Sequence, residues 1–129
     1  MRKRYNRSGI INMASAFSQF PSPNVGVYNA TKQFVRIFTK TLYLENTDKI
    51  DILCVKPLGV LTGMMEFRRN ILSMVAPIQV VKQSLYELGE VPTTFGAVEH
   101  KFLTTYLKSM NREELMNLYN MEFIKAQKI

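Results

Sequence analysis

A tyrosine and a lysine, Tyr28 and Lys32, lie four positions apart in a stretch of the 129-residue chain that has helical periodicity. Residues with this spacing share one face of a helix, so the ammonium group can reach the phenol. A neighbouring cation stabilises a phenolate and lowers the pKa of the phenol toward the working pH, as a proton donor requires. The spacing alone is common, and it is equally compatible with a solvated pair on a helix surface.

Two further segments supply polar groups near this pair. Ser15 directly follows an apolar run and stands thirteen positions before Tyr28, whereas Pro57, Gly59 and Thr62 follow a second apolar run. The carboxyl ends of parallel strands meet at one edge of a sheet, where α/β proteins bind ligands. We therefore expect the Ser15 hydroxyl to orient a carbonyl group there, and the Thr62 hydroxyl with nearby backbone amides to hold a carboxamide.

The elements that must position these groups form a strand-loop-helix-strand order. The nearly uninterrupted apolar run at 9–14 predicts a strand covered on both faces, and the Pro- and Ser-rich segment 15–26 predicts a loop. Apolar residues at helical spacing predict a helix from about residue 25 or 27 to 44, and 50–55 predicts a second buried strand. Together these elements predict a right-handed β-α-β unit and the α/β class.

The sequence of the second half of the chain predicts mainly helices and little β-structure. The methionine-rich segment 60–75 is compatible with ordinary core or with a flap over an apolar ligand. Helices are predicted at 77–88, with Val80, Val81, Leu85 and Leu88 as the apolar stripe, at 101–109 and at 112–128, with Asn111 as the N-cap of the last. A third strand is predicted near 95–98.

Cysteine and histidine usage argues against thiol and metal chemistry. Cys54 is the single cysteine, so the chain has no internal disulfide, and it lies in an apolar run that predicts a buried structural thiol. A catalytic thiol would need a basic neighbour, and the single histidine, His100, is distant in sequence. Zinc and copper sites collect three or four nitrogen and sulfur ligands, so we expect no metal site.

Composition and charge limit the remaining classes. With 47% hydrophobic and 21% charged residues, the sequence is typical of one compact domain and not of a disordered chain. No apolar run approaches the roughly 18 residues of a membrane span, and the start lacks the apolar core of a secretory signal. The net charge of +7 includes a basic cluster at 2–7 that could attract nucleic acid or anionic lipid. We interpret this cluster as solvated residues and expect no nucleic-acid partner.

Three segments together resemble the short-chain dehydrogenase/reductase family: Ile11-Asn12-Met13-Ala14-Ser15, Val27-Tyr28-Asn29-Ala30-Thr31-Lys32 and Val55-Lys56-Pro57-Leu58-Gly59-Val60-Leu61-Thr62. The pattern Ser-x12-Tyr-x3-Lys on such a frame is far more specific than Tyr-x3-Lys alone. Phe20-Pro21-Ser22-Pro23 and Tyr-x-Ala-Thr-Lys-x-Phe are similar to the branch of 17β-hydroxysteroid dehydrogenases and very-long-chain 3-oxoacyl-CoA reductases. The resemblance is strongest over 9–62 and thin after Met64.

The resemblance implies hydride transfer between a nicotinamide cofactor, NADPH with NAD left open, and a lipid-like carbonyl compound such as a 3-oxoacyl-CoA or a steroid. It implies that Tyr28 donates a proton to the carbonyl oxygen, that Ser15 holds this oxygen, and that Lys32 assists Tyr28. Tyr28 and Lys32 would also contact the cofactor, Lys32 through the nicotinamide ribose, and the carboxamide would be seated by Pro57, Gly59, Val60 and Thr62.

The resemblance also implies an incomplete fold. It covers the carboxyl-terminal portion of a Rossmann-like parallel sheet, with two strands, a third in doubt and about four helices, and the glycine-rich phosphate loop is absent. We expect a single partial domain, 1–129, with a catalytic unit at 9–62 and a substrate-covering, helical segment at 63–129. It implies an intracellular, endoplasmic-reticulum location and a truncated chain that is inactive alone.

The helix at 28–44 resembles a dimerisation helix of the family, whose intact members are expected to be homodimers. An alternative to the enzyme reading uses the same helix: the chain is a non-catalytic protein that binds a full-length relative through the apolar stripe of 28–44.

Overall fold

A three-stranded parallel sheet lies at the centre of the computed structural model, which describes residues 8–46, 50–63 and 74–127. The elements in chain order are β1 (Ser8–Met13), a short 3-10 helix (Ala16–Gln19), α1 (Gly26–Asn46), β2 (Ile50–Val55), β3 (Gly59–Val60), β4 (Met74–Val75), α2 (Pro77–Glu87), β5 (Thr93–Thr94), α3 (Val98–Ser109) and α4 (Arg112–Gln127).

The sheet has the strand order β1-β2-β5. β1 and β2 are parallel and pair in register from Ser8 opposite Ile50 to Met13 opposite Val55. Parallel neighbours need a crossover connection, and α1 supplies it. β5 pairs with the end of β2, and β3 pairs with β4 as a separate parallel ribbon. The predicted α/β architecture with a parallel β-α-β unit is confirmed.

The core is built on β2, whose last four residues are buried. Leu53 and Val55 cluster with Val75, Val80 and Ala97, which come from β4, α2 and the turn before α3. Successive strand residues point to opposite faces, so Cys54 points the other way, toward Thr39 of α1. Cys54 is fully buried, as predicted for a structural thiol, and burial raises the pKa of the thiol, which disfavours the reactive thiolate.

β1 is a strand as predicted, but the prediction that it is buried on both faces is wrong. Ile10, Ile11 and Met13 are 38%, 36% and 49% exposed. β2 pairs with one edge of β1, and within the described residues no strand pairs with the other edge. An apolar run shows that a strand is suited to burial, whereas burial itself depends on neighbours that its own residues do not specify.

Three local predictions also require correction. The segment predicted as a loop contains the 3-10 helix Ala16–Gln19. The third strand is Thr93–Thr94 and not 95–98, because Gly96, with φ of 72°, turns the chain into α3. The stripe of α2 is narrower than predicted: Val80 and Ser84 are buried, whereas Val81 and Leu85 are exposed.

Two helix starts follow the sequence signals closely, whereas α3 begins at Val98 and not at the predicted residue 101. Pro77 is the first residue of α2, where its missing N–H costs no hydrogen bond. Asn111 caps α4: its Oδ1 accepts a hydrogen bond from the Glu114 N–H at 2.9 Å, while Glu114 Oε2 accepts one from the Asn111 N–H at 2.8 Å. This reciprocal capping confirms the predicted start of α4.

Some predictions fall outside the described residues. The basic cluster at 2–7 does so entirely, and the methionine-rich segment 60–75 does so over 64–73. Among the helices that the structure describes, none has the length and apolar character needed to cross a membrane.

Candidate active site

Ser15 lies just beyond the carboxyl end of β1 and is only 3% exposed. It is the N-cap of the 3-10 helix, and its Oγ accepts a hydrogen bond from the Phe17 N–H at 3.2 Å. Its carbonyl oxygen accepts bonds from the Ser18 backbone N–H at 3.0 Å and the Ser18 hydroxyl at 2.6 Å. These bonds fix the serine at the end of the strand.

The backbone around Ser15 is joined to the segment that follows β2. The Ala14 N–H donates to the Val55 carbonyl at 2.8 Å, and the Ala16 N–H donates to the Pro57 carbonyl at 2.9 Å. The parallel ladder therefore continues past both strands. The two segments that sequence reasoning placed at one sheet edge, around Ser15 and Pro57, lie side by side there.

Lys32 reaches the same edge from α1. Its Nζ donates a hydrogen bond to the Met13 carbonyl at 3.0 Å and lies 5.7 Å from the centroid of the Tyr28 ring. A cation at this distance from an aromatic ring is attracted to the ring face. Tyr28 itself is exposed, so its side chain is open to a ligand. The lysine thus links the tyrosine to the end of β1.

A partly buried polar pair fixes α1 against the sheet. Asn12 Nδ2 donates to Thr39 Oγ1 at 3.0 Å, and Thr39 Oγ1 in turn donates to the Val35 carbonyl at 2.7 Å. Thr39 is fully buried, so this contact sets which face of α1 meets β1. Lys32 lies two helical turns before Thr39 and is thereby directed toward the carboxyl end of β1.

The predicted cofactor loop divides into a paired and an open part. Gly59 and Val60 form β3 and pair with Met74 and Val75, and the Leu61 N–H donates to the Val75 carbonyl at 2.9 Å. Thr62, in contrast, is exposed at the bend that follows. Backbone hydrogen bonds therefore fix the loop as far as Leu61. Thr62 follows this paired part.

His100 is a site residue that the sequence analysis missed. Its Nδ1 accepts a hydrogen bond from the Leu58 N–H at 3.3 Å, and its Nε2 lies 2.8 Å from the Gly59 carbonyl oxygen. Because the Leu58 N–H can only donate, Nδ1 is the acceptor and Nε2 carries the proton that Gly59 accepts. With this tautomer, the 3.4 Å approach of Nδ1 to the Phe95 carbonyl oxygen is not a hydrogen bond, because both atoms are acceptors.

The fully buried imidazole therefore holds the 57–62 loop from α3. One sequence signal was available: His100, Thr104 and Leu107 repeat at helical spacing and are the buried residues of α3. What that spacing cannot reveal is the loop, some 41 residues earlier, that the ring contacts.

Lys56, next to Pro57, is the second residue that sequence reasoning overlooked. It is 7% exposed, and its Nζ lies 4.5 Å from the centroid of the Phe95 ring. Burial lowers the pKa of Lys56 from 10.5 to about 8; the nearby thiol of Cys54 opposes the shift, and the cations of Arg36, Lys108 and Lys40 add to it. The burial of this lysine against Phe95 cannot be inferred from its neighbours in sequence. They show only that it directly follows an apolar strand.

The arrangement fits the nicotinamide end of a dinucleotide cofactor, with Lys32 and the 57–62 loop at one edge. For the pyrophosphate end, the sequence holds no G-x-G-x-x-G loop. Within the ranges that the structure describes, no three side chains of the metal-binding types are grouped as a metal site requires.

A sequence profile of the short chain dehydrogenases matches residues 1–73, a range that contains Ser15, Tyr28, Lys32 and the 57–62 loop. The chain belongs to the short-chain dehydrogenase family. Its α/β fold with a parallel sheet is the Rossmann-like fold expected of a member.

The chain is similar in sequence to two curated proteins from Danio rerio. It is 32% identical to very-long-chain 3-oxoacyl-CoA reductase-B over 87% of this chain and 36% of the relative. It is 30% identical to 17-beta-hydroxysteroid dehydrogenase type 3 over 81% of this chain and 34% of the relative. The short-chain dehydrogenase chain described here thus spans about a third of the length of these relatives.

Solved structures show the same fold. A 7beta-hydroxysteroid dehydrogenase superposes with a TM-score of 0.74 at 18% identity, covering 87% of this chain and 47% of that one. A 3-ketoacyl-(acyl-carrier-protein) reductase from Brucella melitensis, complexed with NADH, superposes with a TM-score of 0.58 at 26% identity, covering 67% of this chain and 41% of that one.

Proposed function

We propose that this chain carries the catalytic residues of a short-chain dehydrogenase/reductase that uses NADP(H) to reduce a lipid-like carbonyl compound. The observation that supports it most directly is the 3.0 Å hydrogen bond from Lys32 Nζ to the Met13 carbonyl, with the Tyr28 ring beside the same ammonium group.

In the proposed reaction, Tyr28 donates its hydroxyl proton to the substrate oxygen. The adjacent Lys32 ammonium attracts the negative charge that proton transfer leaves on the tyrosine oxygen. Ser15 donates a hydrogen bond to the same oxygen and orients the carbonyl group. The nicotinamide cofactor supplies the hydride when it is bound.

The loop that contains Pro57, Gly59, Val60 and Thr62 is the proposed seat of the cofactor carboxamide. His100 supports this part of the proposal, because it holds the Leu58 and Gly59 backbone groups from behind. NADPH is the proposed cofactor; the Brucella melitensis neighbour is complexed with NADH, so a comparison of the two cofactors belongs in any assay.

A 3-oxoacyl-CoA or a steroid is the proposed substrate, following the names of the two Danio rerio relatives. Because the chain spans 36% of the first relative, we propose that it is inactive alone and that 1–129 is one partial domain with a catalytic unit at 9–62. An endoplasmic-reticulum location belongs to the same proposal, and localisation of the tagged chain in cells would test it.

A chimera tests the catalytic assignment. The aligned portion of the Danio rerio 3-oxoacyl-CoA reductase is replaced by this chain, and NADPH-dependent reduction of a 3-oxoacyl-CoA is measured, with NADH in parallel. We expect activity that falls at least about a hundredfold in Tyr28→Phe, because the variant keeps the ring and loses only the proton. Tyr43→Phe, on the same helix, is the matched control. Equal activity in Tyr28→Phe and the control would refute the role of Tyr28.

A non-catalytic protein is the second candidate, and one observation favours it. α1 exposes a line of apolar side chains, including Phe34 and Phe38, whose rings stack 5.9 Å apart. Such a surface suits a helix of a second copy or of a full-length relative. Co-elution of this chain with that relative, lost in Phe34→Glu, together with an inactive chimera, would favour this candidate over the enzyme.

A further inference from the structure

Lys56 carries an almost buried ammonium group that has no part in the proposed reaction. The residue directly follows β2 and is 7% exposed, and its Nζ lies 4.5 Å from the centroid of the Phe95 ring. Within the described residues, this Nζ has no hydrogen-bond acceptor. Buried lysines are nearly always paired, because the ammonium group carries three donors and a full charge. The aromatic ring alone does not satisfy these donors, so Lys56 is a group without an assigned role.

The tip of Lys56 is open to a small molecule. Two side-chain atoms of the described residues are both inaccessible to solvent and without a hydrogen-bond partner: Gln19 Nε2 and Thr104 Oγ1. Lys56 Nζ has no partner either but is not one of these inaccessible atoms, so it keeps some surface that a molecule from solution can meet. Because the opening is small, an uncharged molecule of a few atoms can enter at less cost than an anion that must lose its hydration shell.

The backbone directs Lys56 toward α1. The Lys56 N–H donates to the Thr94 carbonyl at 2.8 Å, so the pairing of β2 with β5 continues through this residue. Residues two apart on a strand point to the same face of the sheet, and Lys56 therefore shares a face with Cys54. The Cys54 thiol makes a hydrogen bond with Thr39 of α1, which identifies that face as the one covered by α1.

The charged groups around Lys56 are cations. Arg36 and Lys40 lie three positions before and one position after Thr39 on α1, and Lys108 approaches from α3. Burial first, and then the repulsion of these three cations, lower the pKa of Lys56 to about 8, against the opposing effect of the neighbouring Cys54 thiol. No carboxylate is among these groups. About a quarter of the amine is therefore neutral at pH 7.5, whereas an ordinary lysine is about 99.9% charged there.

We propose that carbon dioxide modifies Lys56 to a carbamate. The nitrogen lone pair of the neutral amine forms a bond to the carbon of CO2, a C–O π electron pair moves onto oxygen, and the nitrogen then loses a proton to water. Starting from the ammonium form, two protons are released, and no oxidant or reductant is needed. The side chain thereby changes from one positive charge to one negative charge.

The surrounding cations favour this product over those of other small electrophiles. Arg36, Lys40 and Lys108 repel the ammonium form of Lys56 and attract the carbamate. An imine formed with an aldehyde keeps a positive charge at this position, and an amide formed by acylation has no charge for the cations to attract. The proposal concerns a modification of the folded chain and stands independently of the proposed reductase activity.

Chemical trapping of the carbamate tests the proposal. The full chain is equilibrated with CO2 and bicarbonate or under argon, treated with triethyloxonium tetrafluoroborate, digested and analysed by peptide mass spectrometry. In the CO2 sample, we expect an ethyl carbamate on Lys56 at least about tenfold more abundant than on Lys82, an exposed lysine of α2, and none under argon. The α-amino group of Met1 is the internal positive control, because the ordinary pKa of such a group, near 8, also leaves neutral amine.

Unfolding and variants assign the reaction to the folded environment. In guanidinium chloride, labelling of Lys56 should fall to the level of Lys82, since the unfolded lysine has an ordinary pKa. Arg36→Met with Lys108→Met should lower labelling of Lys56 at least about threefold, because the carbamate loses two attracting charges. Lys101→Met, at an exposed position of α3, should leave it unchanged. The thermal midpoint of each variant checks that it folds, and the comparison with unfolded chain needs no variant.

Three results would overturn the proposal. One is labelling of Met1 without labelling of Lys56, which would mean that CO2 does not reach or does not modify the buried amine. Another is equal labelling of Lys56 and Lys82 in the folded chain. The third is labelling of Lys56 that is the same in the folded chain, in guanidinium chloride and in the variant without the two cations, since the folded environment would then contribute nothing.

Discussion

His100 shows how one side chain can hold a loop that lies far from it in sequence. Its two ring nitrogens, one an acceptor and the other a donor in the neutral imidazole, satisfy one donor and one acceptor of the 57–62 loop. Thr104, one helical turn later, is the opposite case: it is fully buried, and its hydroxyl has no hydrogen-bond partner in the described part of the chain.

Substitution of these two residues should therefore have opposite effects on stability. His100→Ala leaves a cavity and two unpaired backbone groups, and we expect the free energy of unfolding to fall by roughly 2–4 kcal/mol. Thr104→Val removes an unpaired hydroxyl at nearly constant volume, and we expect no loss or a gain of about 1 kcal/mol. Urea denaturation of the full chain measures both. A loss in Thr104→Val as large as that in His100→Ala would contradict the hydrogen-bond argument.

Lys56 should make stability depend on pH. Its pKa is about 8 in the folded chain and near the ordinary 10.5 when unfolded, so between these values the unfolded chain binds more protons. The contribution of Lys56 to the free energy of unfolding is therefore unfavourable below pH 8 and is relieved as the pH rises toward 10.5.

Lys56→Met isolates this contribution. We expect the variant to be more stable than the parent at pH 7, and the difference to shrink by pH 10.5. Both chains carry Cys54→Ala, because the raised pKa of that thiol acts in the opposite direction with pH. Lys82→Met, at an exposed position of α2, should show a pH-independent difference. If the Lys56→Met difference is equally flat, Lys56 is charged in the folded chain throughout.

At the scale of elements, the junction of β5 with α3 depends on a glycine. Gly96 has φ of 72°, and a Cβ there would lie 2.7 Å from Val80 Cγ1, in the core. The left-handed conformation lets the chain turn between the strand and the helix that carries His100. Gly26, at the start of α1, has neither constraint, because a Cβ there meets nothing within 4 Å.

Gly96→Ala should lower the free energy of unfolding by roughly 2–3 kcal/mol, from backbone strain and from the contact with Val80. Gly26→Ala should be neutral or should raise it by up to about 1 kcal/mol, since alanine restricts the unfolded chain and suits a helix. Thermal or urea unfolding separates the two. Equal effects of the two substitutions would show that the turn at Gly96 can be made without left-handed backbone.

At the scale of the whole molecule, the outer edge of β1 is the largest departure from a covered α/β sheet. It carries exposed Ile10, Ile11 and Met13 and has no partner strand in the described ranges. An apolar edge strand whose backbone N–H and C=O groups are unpaired pairs readily with a further strand. This chain covers 47% of the superposed 7beta-hydroxysteroid dehydrogenase, so more than half of that protein has no counterpart in the superposition.

We therefore expect this chain to bind the separately produced amino-terminal portion of the Danio rerio 3-oxoacyl-CoA reductase. Ile10→Lys should weaken that binding at least about tenfold, because a lysine on an edge strand opposes pairing. Phe102→Lys, an equally drastic change at an exposed position of α3, is the control. Sedimentation velocity of the mixtures measures the complex. Equal binding by both variants would place the contact elsewhere than β1.

The sequence by itself determined the elements whose signals are local. The apolar periodicity of α1, the uninterrupted apolar run of β2 and the capping residues around Asn111 specify structure through neighbours within a few positions. The spacing of Ser15, Tyr28 and Lys32 also predicted that these residues share one sheet edge, since parallel strands joined by a helix have their carboxyl ends on the same side.

Only the tertiary structure decided which distant groups meet and which remain uncovered. The contact of His100 with Gly59, the burial of Lys56 beneath Phe95 and the exposure of β1 each depend on segments far apart in the chain. Hydrophobic patterning shows which residues are suited to burial, but the partner that buries them is set by the packing of whole elements.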